Sequence, residues 1–246
     1  MKRLEDRVAV ITGSSRGIGH SIALAFGREG AKIVTTARTK EALDALTARL
    51  KHMGSEAIAV AADLGFENDI QRIVDEAIGR FGHIDILVNN AAIIHQRVDL
   101  VDFNMKLWQE VLEVNLIAPA LLTRAVLPSM IANKSGKIIN ISSIGGRKGG
   151  KGRSAYRVSK AGLISLTESV AAEVKPYGID CNCICPGAVD TEGYREAFGS
   201  KGKAENPKLI LPEEISALAV FLASDESSSI TGTAIDAFGG WNPLFE

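Results

Sequence analysis

Short apolar runs alternate with longer stretches whose apolar residues recur every third or fourth position, along the whole chain. Seven runs predict strands: Val8–Thr12, Lys32–Thr36, Ala57–Ala61, Ile84–Asn89, Lys137–Ser142, Ile179–Cys185 and Thr233–Asp236. Between them, helical spacing predicts helices over Ile18–Glu29, Lys40–Met53, Asn68–Phe81, Asn104–Asn133, Ser154–Tyr177 and Pro212–Ala223. Alternating strand and helix requires crossover connections, and these build a parallel sheet covered by helices on both faces. No linker, low-complexity segment or repeat of fixed period interrupts the sequence, so residues 1–246 are expected to form one doubly wound α/β domain on a seven-stranded sheet.

Composition is that of an ordinary globular enzyme with a full core, 46% apolar and 23% charged. The net charge of −1 gives no broad field to attract nucleic acid or a membrane surface. No run of 18 apolar residues occurs, and Met1-Lys-Arg-Leu-Glu-Asp6 has no signal-peptide core, so a cytoplasmic protein without membrane or nucleic-acid partner is expected. Cys181, Cys183 and Cys185 alternate along one strand and therefore share a face. The four histidines lie far from them in sequence, so buried, reduced thiols are expected rather than a metal site.

Chemistry first shows at the junction of the first strand and first helix, Thr12-Gly13-Ser-Ser-Arg16-Gly17-Ile18-Gly19. Glycines there let the backbone approach a pyrophosphate, whose charge meets free N–H groups at the helix N-terminus. The spacing is G-x-x-x-G-x-G, not the G-x-G-x-x-G of the generic dinucleotide fingerprint. About 20 positions past such glycines, NAD sites place an acid on the adenosine ribose. Here that place reads Thr35-Thr36-Ala37-Arg38-Thr39, with no carboxylate. Arg38 offers a fork of donors suited to a phosphate, and Arg16 adds a second cation, so NADP(H) is the expected cofactor.

The second chemical stretch runs from Ser143 to Lys160. Tyr156 and Lys160 are four apart on a predicted helix and point the same way. An ammonium ~4 Å from a phenol favours the phenolate by ~4 kcal/mol, or about three pK units, which would bring Tyr156 near neutrality. Ser143 follows the fifth strand, where its hydroxyl can hold a substrate oxygen beside that of Tyr156.

Taken in order, the glycine loop, Asn89-Asn90-Ala91-Ala92, Asn115, Ser143, Tyr156-x-x-x-Lys160 and Pro186-Gly187 resemble the short-chain dehydrogenase/reductase family in its small single-domain form. The resemblance spans residues 6–241 and implies a Rossmann-type dinucleotide-binding and catalytic domain. It implies Tyr156 as acid/base, Lys160 as its pKa-lowering partner and ribose ligand, Ser143 as the group orienting the carbonyl, and Asn115 as holder of a water linked to Lys160. Cofactor contacts are implied at Gly13, Ser15, Arg16, Gly17, Ile18, Gly19, Arg38, Asp63, Leu64, Asn90, Ala91, Tyr156, Lys160, Pro186, Gly187, Val189 and Thr191. Ile230-Thr-Gly232 and Leu222-Ala-Ser-Asp225 are most similar to the 3-oxoacyl-(acyl carrier protein) reductase branch. Three departures stand out: Ala92 where glycine is usual, a short glycine-bearing lid over 187–211, and Ala237-Phe238-Gly239-Gly240 near the end.

Ligands of doubly wound folds bind beyond the carboxyl ends of the strands, here Ile93–Val98, Gly145–Ser154 and Ala188–Lys208. Arg147, Lys148, Lys151 and Arg153 crowd the middle segment without an acid, and His95 comes from the first. Either they recruit an anionic substrate, such as a small keto acid or keto sugar, or they are a solvated loop. The small-molecule substrate expected is a ketone or secondary alcohol. The other class of function is a catalytically idle nucleotide-binding sensor, which loss of Ser143, Tyr156 or Lys160 would mark. The family implies a homotetramer or homodimer, with 104–133 and 154–177 along the seam.

Overall fold

The computed structural model describes residues 2–205 and 209–239. Its strands are β1 (Val8–Thr12), β2 (Lys32–Ala37), β3 (Ala57–Ala61), β4 (Ile86–Asn89), β5 (Gly136–Ile141), β6 (Ile179–Pro186) and β7 (Ala234–Ala237). They form one parallel sheet in the order β3-β2-β1-β4-β5-β6-β7. The helices are α1 (Gly17–Arg28), α2 (Lys40–His52), α3 (Glu67–Phe81), α4 (Met105–Leu112), α5 (Ala118–Asn133), α6 (Ser154–Val174), α7 (Glu192–Glu205) and α8 (Pro212–Ala223).

All five residues of β1 are buried because both faces of the sheet are covered. Ala9 and Ile11 point to one side, where Phe26 of α1, Leu46 of α2 and Ala219 of α8 complete the core. Val10 points to the other, among Ile73 of α3, Leu122 of α5 and Val174 of α6. In α3 the buried positions are Ile70, Ile73, Val74 and Ala77, the i, i+3, i+4, i+7 stripe that predicted the helix. Burying each such branched side chain is worth ~1.5–3 kcal/mol. The three cysteines are buried and unpaired on β6, and burial pushes the Cys181 thiol up to about 12.

Two elements differ from expectation. Glu192–Glu205 forms a helix in what periodicity leaves as an irregular lid, with a non-helical break at Gly199. The predicted helix 104–133 carries a π turn over Glu113–Ile117. Pro119 has no N–H to give the carbonyl of Asn115, four residues back, and the ladder shifts to wider bonds there. Among the described residues, the run Met105–Asn133 is also long and apolar enough to cross a membrane by length and composition. In this fold α5 instead buries Leu122, Val126 and Met130 under the sheet. Of the predicted segments, Lys208 and Gly240 lie outside the described residues.

Candidate active site

The strand order reverses between β1 and β4, and a cleft of about 1480 Å³ opens there beyond the strand ends. The chain leaves β1 through Gly13 and enters α1 at Gly17, with φ of +63° and +59°, values that favour glycine. A Cβ on Gly19 would stand 2.4 Å from the Asn90 side-chain nitrogen. That amide donates to the carbonyls of Thr12 and Gly13 at 2.8 and 3.2 Å. The Thr12 hydroxyl oxygen accepts from the backbone N–H groups of Asn90 and Ala91. The Asn89–Ala92 motif is thus the clamp that shapes the glycine loop. Arg16 caps α1 without a side-chain hydrogen bond to it, and no acid lies in the first turn, which leaves that end open to an anion.

Gly13, Ser15, Arg16, Gly17, Ile18, Arg38, Asp63, Leu64, Asn90, Ala91, Pro186, Gly187, Val189 and Thr191 all line the cleft, as does Ala92. Gly19 lies behind it, packed on Asn90. The glycine turn and the open end of α1 fit a dinucleotide. Arg38 is exposed just past β2. Arg16 instead forms a bidentate pair with Glu196 of α7, at 2.5 and 2.9 Å.

Ser143, Tyr156 and Lys160 converge on the same cleft. The Ser143 Oγ accepts from Gly145 N–H at 3.0 Å, and its hydroxyl acts on the Tyr156 phenol beside it. Ser142 turns away and donates to the carbonyl of Lys160 at 2.8 Å, fastening α6 to the end of β5. Lys160 is 2% exposed, and its Nζ donates to the carbonyl of Ile141 at 2.7 Å. The ammonium is 5.9 Å from the Tyr156 ring centroid and is held by the Ile141 carbonyl. Burial pushes Lys160 down to about 8. Burial also raises the Tyr156 pKa above the usual phenol range, while the Ser143 hydrogen bond and the charges of Arg153 and Arg157 pull it back.

Asn115 sits in the π turn, 1% exposed and outside the cleft lining. Its Oδ1 accepts from Ile93 N–H at 2.7 Å, and its Nδ2 donates to the Ile93 carbonyl and to Ser159 Oγ. Its side chain ties the loop after β4 to α6.

The basic segment divides. Arg147 pairs with Asp236 of β7 at 3.0 Å and Lys151 with Asp99 at 3.4 Å, and neither lines the cleft. His95 is also outside it, edge-on to Phe103 with Nδ1 2.6 Å from the Gln96 carbonyl, and burial lowers its pKa. Lys148 and Arg153 do line the cleft, joined by Arg97 and Arg157. Arg157 donates to the carbonyls of Lys148 and Gly149 and so holds the loop. From α7, Tyr194 and Phe198 stack at 4.5 Å and also face the cleft. The sequence reading missed Arg157 as a site residue, although it follows Arg153 by one helical turn.

The short chain dehydrogenase family matches residues 7–201. Dehydrogenase/reductase SDR family member 6 of Rattus norvegicus is 36% identical over 254 residues, covering 98% of this chain and 100% of that protein. The 3-oxoacyl-[acyl-carrier-protein] reductase of Synechocystis sp. is 36% identical over 245 residues, covering 98% of each chain. The crystal structure of levodione reductase is similar at a TM-score of 0.92 and 30% identity, over 95% of this chain and 96% of that one.

Proposed function

The chain belongs to the short-chain dehydrogenase/reductase family of nicotinamide-dependent oxidoreductases, and from that premise we propose that it interconverts a ketone and a secondary alcohol using NADP(H). The observation that carries the reading is the Ser143–Tyr156 hydroxyl pair in the cleft that the glycine loop opens on. The bound nicotinamide supplies or accepts the hydride. Ser143 hydrogen-bonds the substrate oxygen, and Tyr156 passes its proton to that oxygen in reduction and recovers it in oxidation. Such proton transfer is worth ~10²–10⁴ in rate. Retention of Ser143, Tyr156 and Lys160 favours an enzyme over a nucleotide-binding sensor.

The phosphate-bearing cofactor is supported by Arg38 and Arg16 on the cleft and by the absence of a carboxylate at the end of β2. A charge-assisted bond to a 2′-phosphate is worth ~1.5–3 kcal/mol, so Arg38→Ala is expected to narrow the preference for NADPH over NADH by about 10- to 150-fold. Steady-state kinetics with both cofactors tests this, and a wild-type preference for NADH would overturn it. The relative from Synechocystis makes 3-oxoacyl thioesters one candidate class. A screen of such thioesters, keto sugars and α-dicarbonyls against NADPH oxidation addresses the reaction itself.

A further inference from the structure

Arg153 stands at the N-terminus of α6, three residues before Tyr156, and is only 6% exposed. A guanidinium does not shed its charge in proteins, and burying that charge costs several kcal/mol unless a partner compensates. Among the described residues no acid pairs with it, and its Nε and Nη2 have no hydrogen-bond partner. Its charged neighbours, Arg97 and Arg157, are of like sign, and together with burial they push its pKa down. Two ring faces help: its Cζ lies 4.1 Å from the Phe198 centroid and 5.8 Å from that of Tyr156. Cation–π contacts do not offset the burial of a whole charge.

The two unpartnered nitrogens lie on one edge of the guanidinium, with parallel N–H bonds, and that edge matches the two oxygens of a carboxylate. The Phe198 ring closes one face, which favours a flat ligand in the guanidinium plane over a tetrahedral one. Arg153 and Tyr156, which takes the carbonyl oxygen in the reading above, line the same cleft with the Cζ 5.8 Å from the ring centroid, so a turn of the covered Nε–Nη2 edge toward the cleft brings both partners to one small molecule. Resting on that reading, we infer that the substrate is a short oxo acid, or the matching hydroxy acid, whose carboxylate is held by the Nε–Nη2 edge of Arg153. The carbonyl and carboxylate are then separated by few bonds, which argues against a long acyl thioester.

The test is kinetics with NADPH and with NADH on 2-oxobutanoate, 3-oxobutanoate and 4-oxopentanoate, each against its methyl ester. At least one acid is expected to exceed its ester in kcat/KM by about tenfold or more. Arg153→Gln should lower kcat/KM for that acid by about 10- to 150-fold more than for its ester, the value of a charge-assisted hydrogen bond, because any effect of the lost charge on Tyr156 falls on acid and ester alike. Arg153→Lys, which keeps the charge but not the fork, should recover part of the loss. The melting temperature of Arg153→Gln should equal or exceed that of wild type, because an uncompensated buried charge is gone. A purely structural arginine would lower it. Esters used as well as acids, or equal losses for both, would overturn the carboxylate inference and leave the oxidoreductase reading standing. Undiminished turnover in Tyr156→Phe would instead sink that reading. If no ketone of the panel reacts, calorimetric titration of 3-hydroxybutanoate into the NADP⁺ complex decides. Binding that Arg153→Gln abolishes supports the inference, and absence of binding to wild type overturns it.

Discussion

Tyr156 and Lys160 share a helix face, yet the ammonium reaches the Ile141 carbonyl, and that choice has a consequence for stability. The folded pKa of Lys160, about 8, lies below its ordinary 10.5. Between those values the unfolded chain binds more protons than the folded one, so stability rises with pH across that window and is lowest below it. That difference corresponds to about 3 kcal/mol. Lys160→Met carries no such charge, so wild type should gain about that much relative to the variant between pH 8 and 10.5. Urea unfolding of both proteins, free of cofactor, across that range checks it. A constant difference would mean that burial does not depress the ammonium.

At the scale of elements, α7 is anchored to the glycine loop through Arg16 and Glu196, both exposed and both lining the cleft. If Arg16 holds the 2′-phosphate proposed above, Glu196 would compete for it and add a like charge beside it. An exposed ion pair is worth ~0–1 kcal/mol. Glu196→Gln should therefore raise the ratio of NADPH to NADH preference by up to about fivefold. The ratio is the right readout, because any loosening of α7 acts on both cofactors alike. An unchanged ratio in steady-state kinetics would mean that Arg16 has no part in choosing between them. The π turn acts on the same scale. By burying Asn115 it fastens Ile93 and Ser159, and so fixes the loop after β4 against the helix that carries Tyr156.

At the scale of the whole molecule, the question is what covers the outer faces of α4, α5 and α6. Met105, Ile117 and Val158 are between 42% and 56% exposed on these helices or the π turn between them, and α4 packs beside α6. We propose that these residues lie on the seam of a homotetramer or homodimer. Light scattering at micromolar concentration should give two or four times the 26.1 kDa chain mass. A mass of one chain would refute it.

The parallel sheet, its seven strands, the glycine loop and the Tyr156–Lys160 spacing were determined by sequence alone. Each is a local pattern: a period of apolar residues, a turn that needs glycine, two residues one helical turn apart. Even the π turn had a local signal in Pro119. The helix α7 had little, since its three glycines and polar residues give no continuous apolar stripe. What tertiary structure decided is where charges find partners. Arg147 and Arg153 are six residues apart in one basic loop, yet Asp236, 89 residues on, draws the first out of the cleft. Arg153 meets no such acid among the described residues and stays buried beside Tyr156. Periodicity reports which face of an element is buried. It carries no record of which distant carboxylate the fold brings alongside, and the electrostatics of this site depend on that.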